Sequence, residues 1–134
     1  VDVRSYELDS FGHANHAVFL NYLEAARFEA LAGAGFPYDE IRGRGWGIYV
    51  VRIEVDYLKE ARLGDRLLVR TWAEEYRRTS MVLAQQIVRA SDETVEVARA
   101  RVTAVWVDQD GRPMRVPPDV RLALGGDADG VSGP

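Results

Sequence analysis

Asp9-Ser10-Phe11-Gly12-His13-Ala14-Asn15-His16 runs without a break into Ala17–Ala32, and the reading of these residues decides the fold. A turn with a lone carboxylate and a glycine comes first, and the only long helical pattern of the chain follows. Phe19, Leu20, Tyr22, Leu23, Ala26, Ala30 and Leu31 recur at helical spacing and make one apolar stripe. Asn21, Glu24, Ala25 and Glu29 fall on the far side, as does Phe28, which is either covered by a partner or exposed. Asn15 is a natural N-cap, and Gly33 and Gly35 are natural stops. The first turn of a helix carries unpaired main-chain N–H groups at the positive end of its dipole. A carboxylate a few residues earlier can act on a carbonyl whose oxygen those groups hold. The arrangement therefore points to acyl transfer.

Outward from this stretch the period changes from helical to two. Val1–Leu8 alternates loosely and reads as a short first strand. After a glycine-rich loop around Arg42–Gly47, Ile48–Leu58 sets Tyr49, Val51, Ile53, Val55 and Tyr57 on one face and Arg52, Glu54 and Asp56 on the other. Arg66–Tyr76, Met81–Ala90 and Thr94–Asp108 follow as further strands in consecutive hairpins. In the last, Ala98, Ala100, Val102, Ala104 and Trp106 share a face of mostly small side chains, which lets a helix lie close to the sheet. Asp119–Leu124 adds a short helical turn. The expectation is an α+β fold in which a curved five-stranded antiparallel sheet wraps one long central helix. Residues 1–124 form a single domain and 125–134 a frayed, disordered tail. Open sheet edges remain, so a homodimer is the minimum unit and a homotetramer its extension.

The 134 residues suit one core. Net charge is −4, without the basic stripe that nucleic acid demands. There is no cysteine, which excludes disulfides, thiolate metal sites and cysteine nucleophiles and fits a reducing cytoplasm. No apolar run approaches the roughly 18 residues of a membrane span. A Gly-x-Ser-x-Gly elbow is absent. The Gly-x-Gly patches around Arg42–Gly47 lack the strand-turn-helix setting of a nucleotide fingerprint.

Asp9-x-x-Gly12-His13-x-Asn15-x-x-x-Phe19-Leu20-x-Tyr22-x-Glu24-x-Ala26-Arg27 resembles the signature of the 4-hydroxybenzoyl-CoA thioesterase-like family of hotdog-fold acyl-CoA thioesterases. Asp56-Tyr57-Leu58, Gly64-Asp65-Arg66-Leu67 and Gly111-Arg112-Pro113-x-Arg115-x-Pro117 are similar to later stretches of that family. The resemblance implies that Asp9 is the catalytic carboxylate, that Gly12 is the glycine of the turn, and that the backbone N–H of His16 is the oxyanion donor. It also implies an acyl-CoA substrate bound between two subunits, with no metal or organic cofactor. Many relatives carry a second asparagine where this chain has His16, a change that a main-chain donor tolerates.

Thioester hydrolysis needs an attacking group, a charge stabiliser and a pocket. Asp9 serves either as nucleophile or as general base toward water. As a plain turn residue, it would instead cap its own loop. His13 orients the water or the carboxylate, or else bonds a loop carbonyl. His13 and His16 lack the third ligand and the regular helix that a zinc pair uses. Asn15, Phe19 and Tyr22 fall near the acyl group, as cap and as core or pocket wall. Glu24 is the rival carboxylate, as in another hotdog branch, although an ion pair with Arg27 at i,i+3 explains it. Arg77 and Arg78, with Arg112 and Arg115, are candidates for the coenzyme A phosphates. The alternatives are a non-catalytic acyl-CoA-binding protein and a hotdog hydratase, whose longer motif is not seen.

Overall fold

The computed structural model describes residues 1–7 and 16–125. The helical stripe forms α1 (His16–Gly33), 18 residues long, with Phe19, Tyr22, Leu23, Ala26 and Leu31 buried as its spacing requires. Arg27 is buried as well, and Leu20 is 39% exposed. The helix ends in a Schellman turn. Gly35 takes φ +97°, its N–H bonds to the Ala32 carbonyl, and the Phe36 N–H reaches back to Leu31 at 2.8 Å. Phe36 thereby drops into the core beside Leu31. Ahead of the expected glycine-rich loop, and taking in its first two residues, lies a helix that the sequence reading did not place. Pro37 fixes the entry to α2 (Tyr38–Gly43), with Asp39 and Glu40 in the first turn and Ile41 buried.

Four strands make one antiparallel sheet: β1 (Gly47–Tyr57), β2 (Leu67–Tyr76), β3 (Ser80–Arg89) and β4 (Asp92–Val107). A short α3 (Pro118–Ala123) follows, as expected of Asp119–Leu124. Three expectations are corrected. The arrangement of five strands around one long helix gives way, among the described residues, to four strands and three α-helices, of 18, six and six residues. Of the expected strand Val1–Leu8, the described residues 1–7 contribute only an isolated bridge between Asp2 and Arg66, after which Ser5–Glu7 turns as a 3-10 helix. The cause is the Glu7 carboxylate, which accepts the Arg4 N–H at 3.0 Å and the Tyr22 hydroxyl at 2.8 Å, drawing the chain off the sheet and toward α1. The strands are also not all consecutive neighbours, since the order is β1-β4-β3-β2. The segment after β1 crosses the sheet end, where Leu58 and Lys59 both donate to the Val97 carbonyl and Ala61 is fully buried.

A bulge between Val50 and Arg52 corrects the face assignment in β1. Beyond it Ile53, Val55 and Tyr57 oppose Val102, Ala100 and Ala98 as their alternation predicts. Before it Ile48 and Val50, not Tyr49 and Val51, oppose Trp106 and Ala104. One extra residue exchanges the two faces. The core lies between the helices and the inner sheet face in two clusters. One gathers Phe19, Tyr22 and Leu23 over Ala98 and Ala100. The other gathers Leu31, Phe36 and Ile41 around Trp106, closed by Val116 and Val120.

Two glycines of one turn should respond oppositely. Gly35→Ala, forced into positive φ with nothing within 4 Å to clash, is expected to lose about 1–2 kcal/mol. Gly33→Ala, also with nothing within 4 Å but inside α1, is expected to gain up to about 1 kcal/mol. Urea denaturation of both variants measures the difference.

Candidate functional site

Asp9, Gly12, His13 and Asn15 lie outside the described residues. What is described is the ground on either side of them. Glu7 is held by the Tyr22 hydroxyl, and His16 is the first residue of α1. The segment carrying the candidate carboxylate thus leaves from one contact with α1 and returns at that helix's first residue.

His16 is fixed by β1. Its ring stacks on Tyr57 with centroids 4.3 Å apart and planes 17° from parallel. The Tyr57 hydroxyl donates to the His16 carbonyl at 3.1 Å, and the Tyr57 ring also meets Phe19 at 5.6 Å. Tyr57 ties the helix start to the sheet, a role that the strand pattern alone did not suggest. Phe19 and Tyr22 are core residues, 2% and 6% exposed, packed edge to face. They support the helix start from beneath.

Arg77 and Arg78 stand at the other end of the sheet. Met81, just past their turn, pairs with Ala104, which pairs with Val50, whereas His16 sits at Tyr57. Seven residues of strand separate Val50 from Tyr57, about 23 Å at 3.3 Å each. One chain therefore does not bring these arginines to the helix start. Arg77 pairs with Glu75, and its carbonyl accepts the buried Arg121 guanidinium at 2.5 Å. The Arg78 carbonyl accepts the Val116 N–H. At the same end, Arg42, Gly45–Gly47, Tyr49 and Asp108–Gly111 bound an open cleft of about 500 Å³.

Between these ends a cavity of about 450 Å³ lies under α1 along the β1 side. Phe28 and Leu31, Ile48 and Val50, Leu83 and Ala104 form its apolar lining, and Glu24 and Arg27 also border it. Arg27 is 9% exposed and donates from Nη1 to Gln85 Oε1 at 3.0 Å. Gln85, 1% exposed, passes the network on, its Nε2 donating to the Leu23 carbonyl and to Thr71 Oγ1, both at 2.9 Å. Burial draws the Arg27 guanidinium below its usual pKa, and the charge of exposed Glu24 opposes that shift. The expected association of Glu24 with Arg27 is thus electrostatic. The buried partner is Gln85, which the sequence hid because a lone glutamine in a strand carries no pattern. Among the described residues no cluster of potential ligands could hold a metal.

A model of the thioesterase-like superfamily matches residues 3–124. The chloroplastic acyl-acyl carrier protein thioesterase ATL2 of Arabidopsis thaliana is 32% identical over 123 residues, which are 92% of this chain and 65% of that relative. The chain spans less than two thirds of the plant relatives ATL2 and ATL3, at 65% and 62%. The long-chain acyl-CoA thioesterase FadM of Escherichia coli is 30% identical over 108 residues, covering 81% of this chain and 80% of that one. A thioesterase from Thermus thermophilus, solved with coenzyme A and Zn, superposes with a TM-score of 0.80 at 32% identity, covering 92% of this chain and 87% of that one.

The buried network gives a direct test. Gln85→Leu strands the buried Arg27 guanidinium, and is expected to cost about 1.5–3 kcal/mol in urea denaturation. The double variant Gln85→Leu/Arg27→Met removes the stranded charge and is expected to recover much of that loss.

Proposed function

Because the chain belongs to the thioesterase-like superfamily, we propose that it hydrolyses acyl-CoA thioesters to the free acid and coenzyme A. Asp9 attacks the thioester carbonyl or takes the proton of an attacking water. The His16 main-chain N–H, at the positive end of α1, meets the developing oxyanion. The thiolate departs readily, so no strong general acid is required. The observation that carries this reading is His16 at the first position of α1, seven residues after Asp9, held in place by Tyr57. In this reading Gly12, His13 and Asn15 belong to the same site, His13 orienting the water or the carboxylate. The acyl-CoA thioesterase FadM and the coenzyme A complex of the bacterial structure support the choice of thioester.

The working unit in this reading is a homodimer joined through β1. β1 is an edge strand with Tyr49, Val51 and Ile53 exposed at 59%, 61% and 38%, an apolar edge that invites a further strand. Two-fold pairing of β1 edges runs them antiparallel. It sets the open cleft and the Arg77–Arg78 turn of one copy at the His16 end of the other, where they can bind nucleotide and phosphates. No helix among the described residues is long and apolar enough to cross a membrane.

Asp9→Asn is expected to reduce thiol release from acyl-CoA by about 10²–10⁴-fold with an unchanged circular dichroism spectrum. Full turnover removes Asp9 from the mechanism, and tight acyl-CoA binding without turnover in the parent protein favours the binding-protein alternative. Mixing and refolding Asp9→Asn with the double variant Arg77→Ala/Arg78→Ala is expected to restore part of the activity that each lacks alone, because one mixed site carries neither change. No recovery argues against a site shared between subunits.

A further inference from the structure

We infer that Arg121 on α3 is a positioning residue: it fixes the turn that carries Arg77 and Arg78, and through that turn the grip on the coenzyme A phosphates. This rests on the proposed reading in which the turn meets those phosphates at the site of the neighbouring copy. The turn cannot hold its shape from its own residues. The Arg77 N–H donates to the Ser80 carbonyl at 2.8 Å, so the hairpin from β2 to β3 closes over Arg78 and Thr79 alone. Two-residue loops that match the strand twist need positive φ, and hence favour glycine or asparagine. Arg78-Thr79 supplies neither, and among the described residues only glycines take positive φ.

Donors from outside the hairpin do the holding. The Val116 N–H reaches the Arg78 carbonyl and the Trp106 N–H the Thr79 carbonyl, both at 2.9 Å. The Arg77 carbonyl accepts Nη2 of Arg121 at 2.5 Å. The first two donors are main-chain groups that come with the path of the chain. Arg121 alone is a side chain, so it is the contact that one substitution can remove. Its guanidinium is buried, 1% exposed, and lies over the ring of Tyr76, the last residue of β2, at 5.4 Å from the centroid. Val116 and Val120, both fully buried, seat α3 beneath it. An apolar side chain would fill this place without the cost of burying a cation. What the cation adds is a directed bond to the turn. Arg77 and Arg78 are themselves exposed. Long side chains on a backbone free to move reach many places, and on a fixed one they reach few.

The experiment compares decanoyl-CoA with S-decanoyl-pantetheine, which keeps the thioester arm and lacks the nucleotide and its phosphates. Released thiol is measured in the parent protein, in Arg121→Met, in Arg121→Lys and in Arg77→Ala/Arg78→Ala. A charge-assisted phosphate contact is worth roughly tenfold to a hundredfold in affinity. Arg121→Met is expected to lower the ratio of kcat/KM for decanoyl-CoA over S-decanoyl-pantetheine by about tenfold or more, with the loss in KM. Arg121→Lys, which keeps a donor for the Arg77 carbonyl, is expected to recover part of it. Adding Arg121→Met to Arg77→Ala/Arg78→Ala is expected to lower the ratio no further, because Arg121 acts through that turn. If Arg121→Met does not fold, Arg121→Gln takes its place with the same expected result. Equal losses on both substrates, or a further drop in the triple variant, overturn the assignment. A ratio that falls in Arg77→Ala/Arg78→Ala but not in Arg121→Met overturns it too and leaves the phosphate reading standing. A ratio unmoved in Arg77→Ala/Arg78→Ala removes the phosphate reading and the assignment with it. If neither thioester is hydrolysed, calorimetry with coenzyme A and pantetheine reads the same ratio as affinities in the same variants, with the same outcomes.

Discussion

The packing of α1 onto the inner face of the sheet is the constraint on which the rest of the molecule depends. Ala98, Ala100 and Ala104 keep the inner face of β4 low, and all are at most 5% exposed. Phe19, Tyr22 and Leu23 then pack down onto it, each burial contributing about 1.5–3 kcal/mol. The helix comes nearest to β2, and its apolar side chains reach from that edge toward the alanines of β4. The Arg27–Gln85 contact adds less net energy than this apolar packing but more direction. A buried cation accepts few partners, and one on β3 fixes the rotation and axial position of the helix.

The strand order places the chemistry. With β1 at the edge, the stacked His16 and Tyr57 stand toward one end of that strand and the cavity by Leu31 toward the other. The bulge at Val50–Arg52 turns Ile48 and Val50 toward Trp106 and Ala104, where both line that cavity, and leaves Val51 61% exposed. A fully covered strand could serve neither as wall of a pocket nor as an edge for a second copy. In the proposed enzyme the same exposed surface does both.

Much of this was legible in residue order. The apolar stripe of α1, the four long strands after it and the small inner face of β4 follow from periodicity, since burial on one side imposes its period on the chain. The short α3 was legible too. The missed elements have specific causes. Val1–Leu8 alternates like a strand, yet Glu7 finds Arg4 and Tyr22 and bends away. α2 hides among glycines, although Pro37 followed by Asp39 and Glu40 is a helix-start signal. The bulge in β1 leaves no local mark, because over Ile48–Val51, just before it, either alternation looks apolar.

By itself the sequence determined α1, the four long strands, α3, the thioesterase-like resemblance and the candidate chemistry at the start of α1. These are properties of neighbours along the chain, where spacing and side-chain type suffice. Only the tertiary structure decided that β1 pairs with β4, that Tyr57 holds His16, that Arg27 meets Gln85 across 58 residues, and that a cavity remains beneath the helix. Such facts depend on which distant surfaces meet and how closely they fill space, and that is set by the packing of the whole core and not by any local stretch.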